Sequence, residues 1–212
     1  MNTVTESDLL MMNALHDAFR RDAVRLTRAA QRWPGDDPAA REALLVGWRQ
    51  FSNELHHHHT IEDTELWPRM RERLTGSPDA LDVLDAMERE HGLLDPVLTE
   101  IEAALAEVGS DNRRLGAAID ELVDVLTAHL AHEEREALPL VQRTITTDEW
   151  NRVNRQVQRE LGLKGAAQTF PWVLDEATPD RAAAMMALLP GPLRLLHRYS
   201  WNPRYQKTRR WS

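Results

Sequence analysis

The feature that most constrains this chain is a duplication. His58, Glu62 and Pro68 recur as His129, Glu133 and Pro139, each pair 71 positions apart with no gap. A helical histidine precedes each copy, His16 in the first half and His91 in the second, 75 positions apart. The pattern is therefore His, loop, His-x-x-x-Glu, written twice. Residues four apart stand one above the other on a helix face. His58 with Glu62, and His129 with Glu133, are thus preset pairs of one nitrogen and one carboxylate donor. A lone His-x-x-x-Glu is usually a solvated surface pair. A gapless repeat with two further histidines is better explained by a shared centre, because such groups buried without a cation would be costly.

Helical periodicity runs through the chain, and no alternating strand pattern interrupts it. Turn residues cut it at Trp33-Pro34-Gly35-Asp36-Asp37-Pro38, at Thr75-Gly76-Ser77-Pro78 and at Gly109-Ser110-Asp111-Asn112. Asp37 and Ser77 each precede a proline, the arrangement of an N-cap followed by the first helical position. This predicts helices over about 6–32, 38–74, 78–108 and 112–143. A fifth is expected from Thr147-Asp148 to near Gly162. Long helices with short connections predict an all-α fold, a left-handed antiparallel up-down four-helix bundle with a helical C-terminal extension. The expected division is a metal-binding bundle over 1–146 and an extension over 147–212 that packs on it. Pro96 falls inside the third helix, but Val97, Leu98, Ile101 and Leu105 continue the apolar pattern. One kinked helix is expected there, with Gly92 absorbing the clash of the proline ring.

Composition narrows the chemistry. Without cysteine there are no disulfides, thiolate sites, iron–sulfur clusters or Cys nucleophiles. The net charge of −8 argues against broad nucleic-acid binding. No apolar run approaches the ~20 residues of a membrane span, and the first ten residues lack a signal-peptide pattern. A soluble, cytoplasmic protein is expected. No phosphate loop, Gly-x-Ser-x-Gly elbow or dinucleotide fingerprint is present. Toward the C-terminus, Arg198, Trp201, Arg204, Tyr205, Lys207, Arg209, Arg210 and Trp211 make a basic, aromatic tail. It is expected to pack its aromatics on the bundle, with membrane-surface or partner docking as the alternative.

These motifs resemble those of the hemerythrin family, in the form called the HHE cation-binding domain. The resemblance spans about residues 5–143. It is carried by His16, His58-x-x-x-Glu62-Asp63-x-x-Leu66-Trp67-Pro68, His91 and His129-x-x-x-Glu133-Glu134. It implies two iron ions with an oxo or hydroxo bridge inside a four-helix bundle. His16, His58, His91 and His129 would be terminal ligands, and Glu62 and Glu133 the bridges. The partner would be a small gas or peroxide.

The chain also departs from the family. Oxygen-carrying hemerythrins have a second histidine one turn after the third-helix ligand, where this chain has Asp95. They also place an aspartate five residues after the fourth-helix histidine, where this chain has Glu133 at four. Asp95 could ligate, orient His91 or face solvent. In the run His56 to His59, helical register selects His58, with His59 a lesser candidate. His56, His57 and His132 read as surface or supporting groups. Glu65 and Glu136 could brace ligating imidazoles, although solvent exposure is the plainer reading.

Ferritin-like Glu-x-x-His pairs occur at Glu54/His57 and Glu88/His91, but the fourth helix has none. Zinc would need fewer donors, and N/O donors alone do not exclude manganese. Three function classes follow: binding or sensing of dioxygen or nitric oxide, an oxidase or peroxide-decomposing enzyme, and iron handling. Asp95 tilts the balance toward reactivity, by leaving a more open or carboxylate-rich site.

Overall fold

The computed structural model describes residues 2–32, 37–107 and 112–211, and it is helical throughout. The turns expected at 33–36 and 109–111 lie outside the described residues. Helix α1 spans Leu10–Gln31, α2 Pro38–Ile61, α3 Trp67–Arg73, α4 Pro78–Ala106, α5 Asn112–His132, and α6 Leu138–Thr144. Then come α7 at Thr147–Val173, α8 at Pro179–Leu188, α9 at Gly191–Leu196 and α10 at Asn202–Lys207. Five-residue π segments join α2 to α3 (Glu62–Leu66), α5 to α6 (Glu133–Ala137) and α9 to α10 (His197–Trp201).

Local chemistry explains most helix ends. The Asp37 carboxylate accepts from the backbone N–H of Ala39 at 2.8 Å and of Ala40 at 3.3 Å, with Pro38 next. Ser77 sits at the corresponding place before Pro78, but its side chain makes no capping bond. The first helix begins at Leu10 rather than near residue 6. Asp8 accepts from the Thr5 backbone at 2.8 Å and its hydroxyl at 2.6 Å, which holds that stretch as a turn. α4 runs through Pro96 as one helix, as its apolar pattern predicts. α7 extends past its expected end. Gly162 takes φ 57° and ψ −164°, a conformation open to glycine, and the helix resumes to Val173.

The chain forms two compact units. One comprises Met1–Ala18 and Thr146–Arg209. Within it, Thr3 bridges Thr146, and Thr146 with Glu149 forms a reciprocal cap at the start of α7. The Trp150 indole donates to the Asp8 carbonyl at 3.1 Å, and Tyr205 donates to Asp175 at 3.1 Å.

The other unit comprises Phe19–Ile145 and Arg210–Ser212. Its core holds Leu26, Phe51, Leu55, Met87, Leu94, Ile101, Leu122, Leu126 and Leu130, all essentially sealed from solvent. Arg41 near the start of α2 donates to the Leu105 carbonyl at the end of α4. Arg71 in α3 pairs with Asp85 and Glu88 early in α4. Arg114 in α5 meets Glu100 and Glu107 late in α4. The guanidinium of Arg73 reaches the Thr144 carbonyl, joining equivalent ends of the two repeats.

The last residues dock on this unit. The Trp211 N–H donates to the Ala43 carbonyl at 3.2 Å, and its ring lies on Gly47. A Cβ at Gly47 would meet ring atoms of Trp211 at 2.6–2.8 Å. Gly47→Ala should therefore displace the ring and cost about 1–3 kcal/mol, read as a lowered midpoint of thermal unfolding. In a Trp211→Ala background the same change should become neutral or stabilising, since alanine is the better helix former. Equal costs in both backgrounds would show that the ring does not constrain this position.

Candidate metal centre

Each copy of the motif sits where an α-helix gives way to a π segment. Glu62 and Glu133 are the first residues of those segments. The backbone N–H of Trp67 bonds the Glu62 carbonyl, and that of Leu138 the Glu133 carbonyl, five residues back. Pro68 and Pro139 follow. A proline donates no hydrogen bond and its ring presses on the carbonyl four residues earlier. The wider π turn accommodates both effects. His197 and Pro203 repeat the six-residue offset around the third π segment.

The resulting centre is buried. His58, His59, Glu62, His91, His129 and Glu133 all lie in the second unit, and the two glutamates are fully sealed. Each of His58, Glu62 and Glu133 offers a ligand atom within 4.8 Å of the others. His59, His91 and His129 form a second group within the same limit. His16, on α1 in the first unit, is wholly buried.

Hydrogen bonds fix the imidazoles. His91 Nδ1 lies 2.9 Å from Asp63 Oδ1, and His129 Nδ1 lies 3.0 Å from Glu90 Oε2. An ionised carboxylate only accepts, so Nδ1 carries the proton and Nε2 keeps its lone pair. Among the described residues neither Nε2 has a hydrogen-bond partner. His91 Nε2 points to Glu62 Oε2 at 3.5 Å, and His129 Nε2 to Glu133 Oε2 at 3.9 Å. Burial pushes His129 below the ordinary histidine range, opposed by the neighbouring Glu133 charge, so it favours the neutral ring. Burial raises Glu62 well above the usual carboxylate value, and the charges of Glu133 and Asp63 raise it further. The His91 and His129 lone pairs therefore face carboxyl groups across these gaps, and burial favours the protonated form of Glu62. A cation in those gaps would replace the carboxyl proton and be ligated from both sides, and the donor set of imidazole and carboxylate suits a first-row metal.

A family model for the hemerythrin HHE cation binding domain matches residues 8–141. The chain belongs to this family. No curated protein and no solved structure matches it. The HHE histidines and glutamates of the second unit thus converge as two adjoining groups of donors.

Other expectations resolve individually. Asp95 is exposed. Its expected tilt toward a carboxylate-rich site therefore falls away, because a solvent-facing turn of α4 carries it outward. His59, which helical register had ranked below His58, is buried with His91 and His129. His56 is exposed and His57 half-buried. Glu65 pairs with Arg69 at 2.8 Å, and Glu136 contacts Arg135 and His132. Asp63 and Glu90 brace His91 and His129. Glu90 also holds His132 Nδ1 at 2.7 Å. Their signal in the sequence is slight: Asp63 follows one motif glutamate, and Glu90 precedes a motif histidine.

The raised Glu62 gives a pH prediction for metal-free protein. A carboxylate whose folded value exceeds its unfolded value contributes stability below the unfolded value, and that contribution is lost as pH rises through the folded one. Metal-free protein should therefore lose stability from mildly acidic to neutral pH. Glu62→Gln should remove much of that loss, raising the unfolding midpoint by roughly 2–4 °C per kcal/mol recovered. Thermal melts of both proteins across pH would check this. Parallel curves would show that Glu62 is not the strained group.

Proposed function

We propose that this protein holds two iron ions in an antiparallel up-down four-helix bundle and binds or senses dioxygen or nitric oxide there. The observation that carries this reading is that the Nε2 lone pairs of His91 and His129 face buried carboxyl groups at 3.5 and 3.9 Å. Glu62 and Glu133 would bridge the pair, each having two oxygens to share. His58, His91 and His129 would be terminal donors. His16 is the fourth terminal ligand that the family resemblance implies. When bound, the iron pair would supply the electrons and the open coordination position that a diatomic gas requires.

The chain's own residues set the conditions for that chemistry. Asp63 and Glu90 hold His91 and His129 in the tautomer that presents Nε2 inward, as outer carboxylates commonly do for metal-bound histidine. Leu55, Leu94 and Leu126 are sealed from solvent and would keep bulk water from the centre. Oxidase or peroxide-decomposing activity was favoured by an open, carboxylate-rich site at Asp95. With Asp95 outside and His59 inside, the centre is rich in nitrogen donors, which supports the binding reading. Among the described residues no helix is long and apolar enough to cross a membrane. A cytoplasmic setting accords with the absence of cysteine.

Metal analysis of protein from iron-supplied cells should give two irons per chain, with an absorption spectrum that changes reversibly with the gas. Steady turnover of peroxide or an organic substrate would favour an enzyme instead. More than two irons per chain would favour iron handling. Glu62→Ala and Glu133→Ala should each lose the metal pair, whereas His57→Ala and His132→Ala should keep it. Full occupancy in both glutamate variants would refute the bridges.

A further inference from the structure

The position that oxygen-carrying hemerythrins fill with a second third-helix histidine is Asp95 here, and Asp95 is turned to solvent. We propose that His59 supplies the missing donor from the neighbouring helix, completing a three-imidazole set with His91 and His129. The inference rests on the metal-pair reading above and specifies how one of its ions is held.

Geometry carries it. The His59 and His91 rings stack with centroids 3.9 Å apart and planes 13° apart. His129 meets both edge-on, at 5.2 Å from His59 and 4.7 Å from His91. One ring comes from each of α2, α4 and α5. A ligand atom of each lies within 4.8 Å of the other two. Two imidazole nitrogens at about 2.1 Å from one ion are at most about 4.2 Å apart. Three donors around one tetrahedral ion stand only about 3.4 Å apart. Ligation would therefore draw the three nitrogens together and turn the stacked His59 and His91 rings until their in-plane lone pairs converge.

Two adjacent residues of a helix, about 100° apart around its axis, serve different groups here because α2 has neighbours on two sides. His58 is packed by Phe19 of α1, with ring centroids 5.4 Å apart. His59 turns toward α4 and α5. One step along α2 thus divides the donors, with His58 joining the Glu62 and Glu133 group and His59 joining His91 and His129. This accounts for two consecutive buried histidines in a run whose first two members are exposed or half-buried.

The test is an anaerobic iron(II) titration of full-length protein, with a chelator competing for the metal and circular dichroism confirming helicity. Wild type should take two equivalents. In His59→Ala the weaker equivalent should bind at least ~100-fold less tightly, beyond the 10–100-fold typical of losing an outer partner. Added imidazole should restore the affinity. His59→Phe keeps a stacked ring without a donor and should behave like His59→Ala, while Asp95→Ala should match wild type. Wild type with two equivalents and His59→Phe unchanged would overturn the ligand assignment alone. A wild type that takes up no iron would overturn the metal pair and this assignment together. Loss of affinity in Asp95→Ala with none in His59→Ala would return the role to α4.

Discussion

The structure turns on a repulsion. Two carboxylates, Glu62 and Glu133, are fully buried among imidazoles whose outer nitrogens already carry their protons. Among the described residues, Nε2 of His91 and of His129 has no hydrogen-bond partner. Ionising a carboxyl in such a place is costly, and burial together with the Glu133 charge pushes Glu62 towards its neutral form. A chain that keeps such a cluster in its core, instead of leucine, gives up stability for a site that a cation completes. Leucine-rich layers surround it, and Arg–Glu pairs link neighbouring elements of the same unit.

The backbone is adapted to the same task. A regular α-helix through Glu62 to Pro68 would set the proline ring against the carbonyl of Thr64, and the second repeat would do likewise at Arg135. The π turns relieve both and begin at the two glutamates. π segments are rare and concentrate at functional positions. Here the glutamate that begins each π turn also carries the carboxylate assigned as a bridge. The duplicated proline therefore belongs to the site as much as the duplicated histidine does, although it touches no donor.

Much of this was legible in the sequence, because spacing is all that a helix needs to bring donors to one face. The repeats, the four long helical stretches, the Asp37 cap and the burial of His58, Glu62, His91, His129 and Glu133 follow from periodicity and identity. What stayed hidden depends on neighbours. Register around α2 alone ranks His59 below His58, since it does not show that α1 and α4 flank the helix on different sides. Asp63 and Glu90 act on histidines of other helices, 28 and 39 residues away, which no local pattern reveals. Glu65 and Glu136 have the right spacing for that role, but nearby arginines hold both. The start of α1 and the continuation of α7 were missed for local reasons: a side-chain turn at Asp8, and a glycine that breaks a helix without ending it.

The most direct test of the central claim is a crystal structure of iron-loaded protein with anomalous scattering recorded across the iron edge. Two iron peaks about 3.5–4 Å apart, the usual separation of paired metals, should appear between Glu62 and Glu133, each flanked by the assigned imidazoles. A single peak, a zinc signature, or metal bound away from these carboxylates would contradict the account.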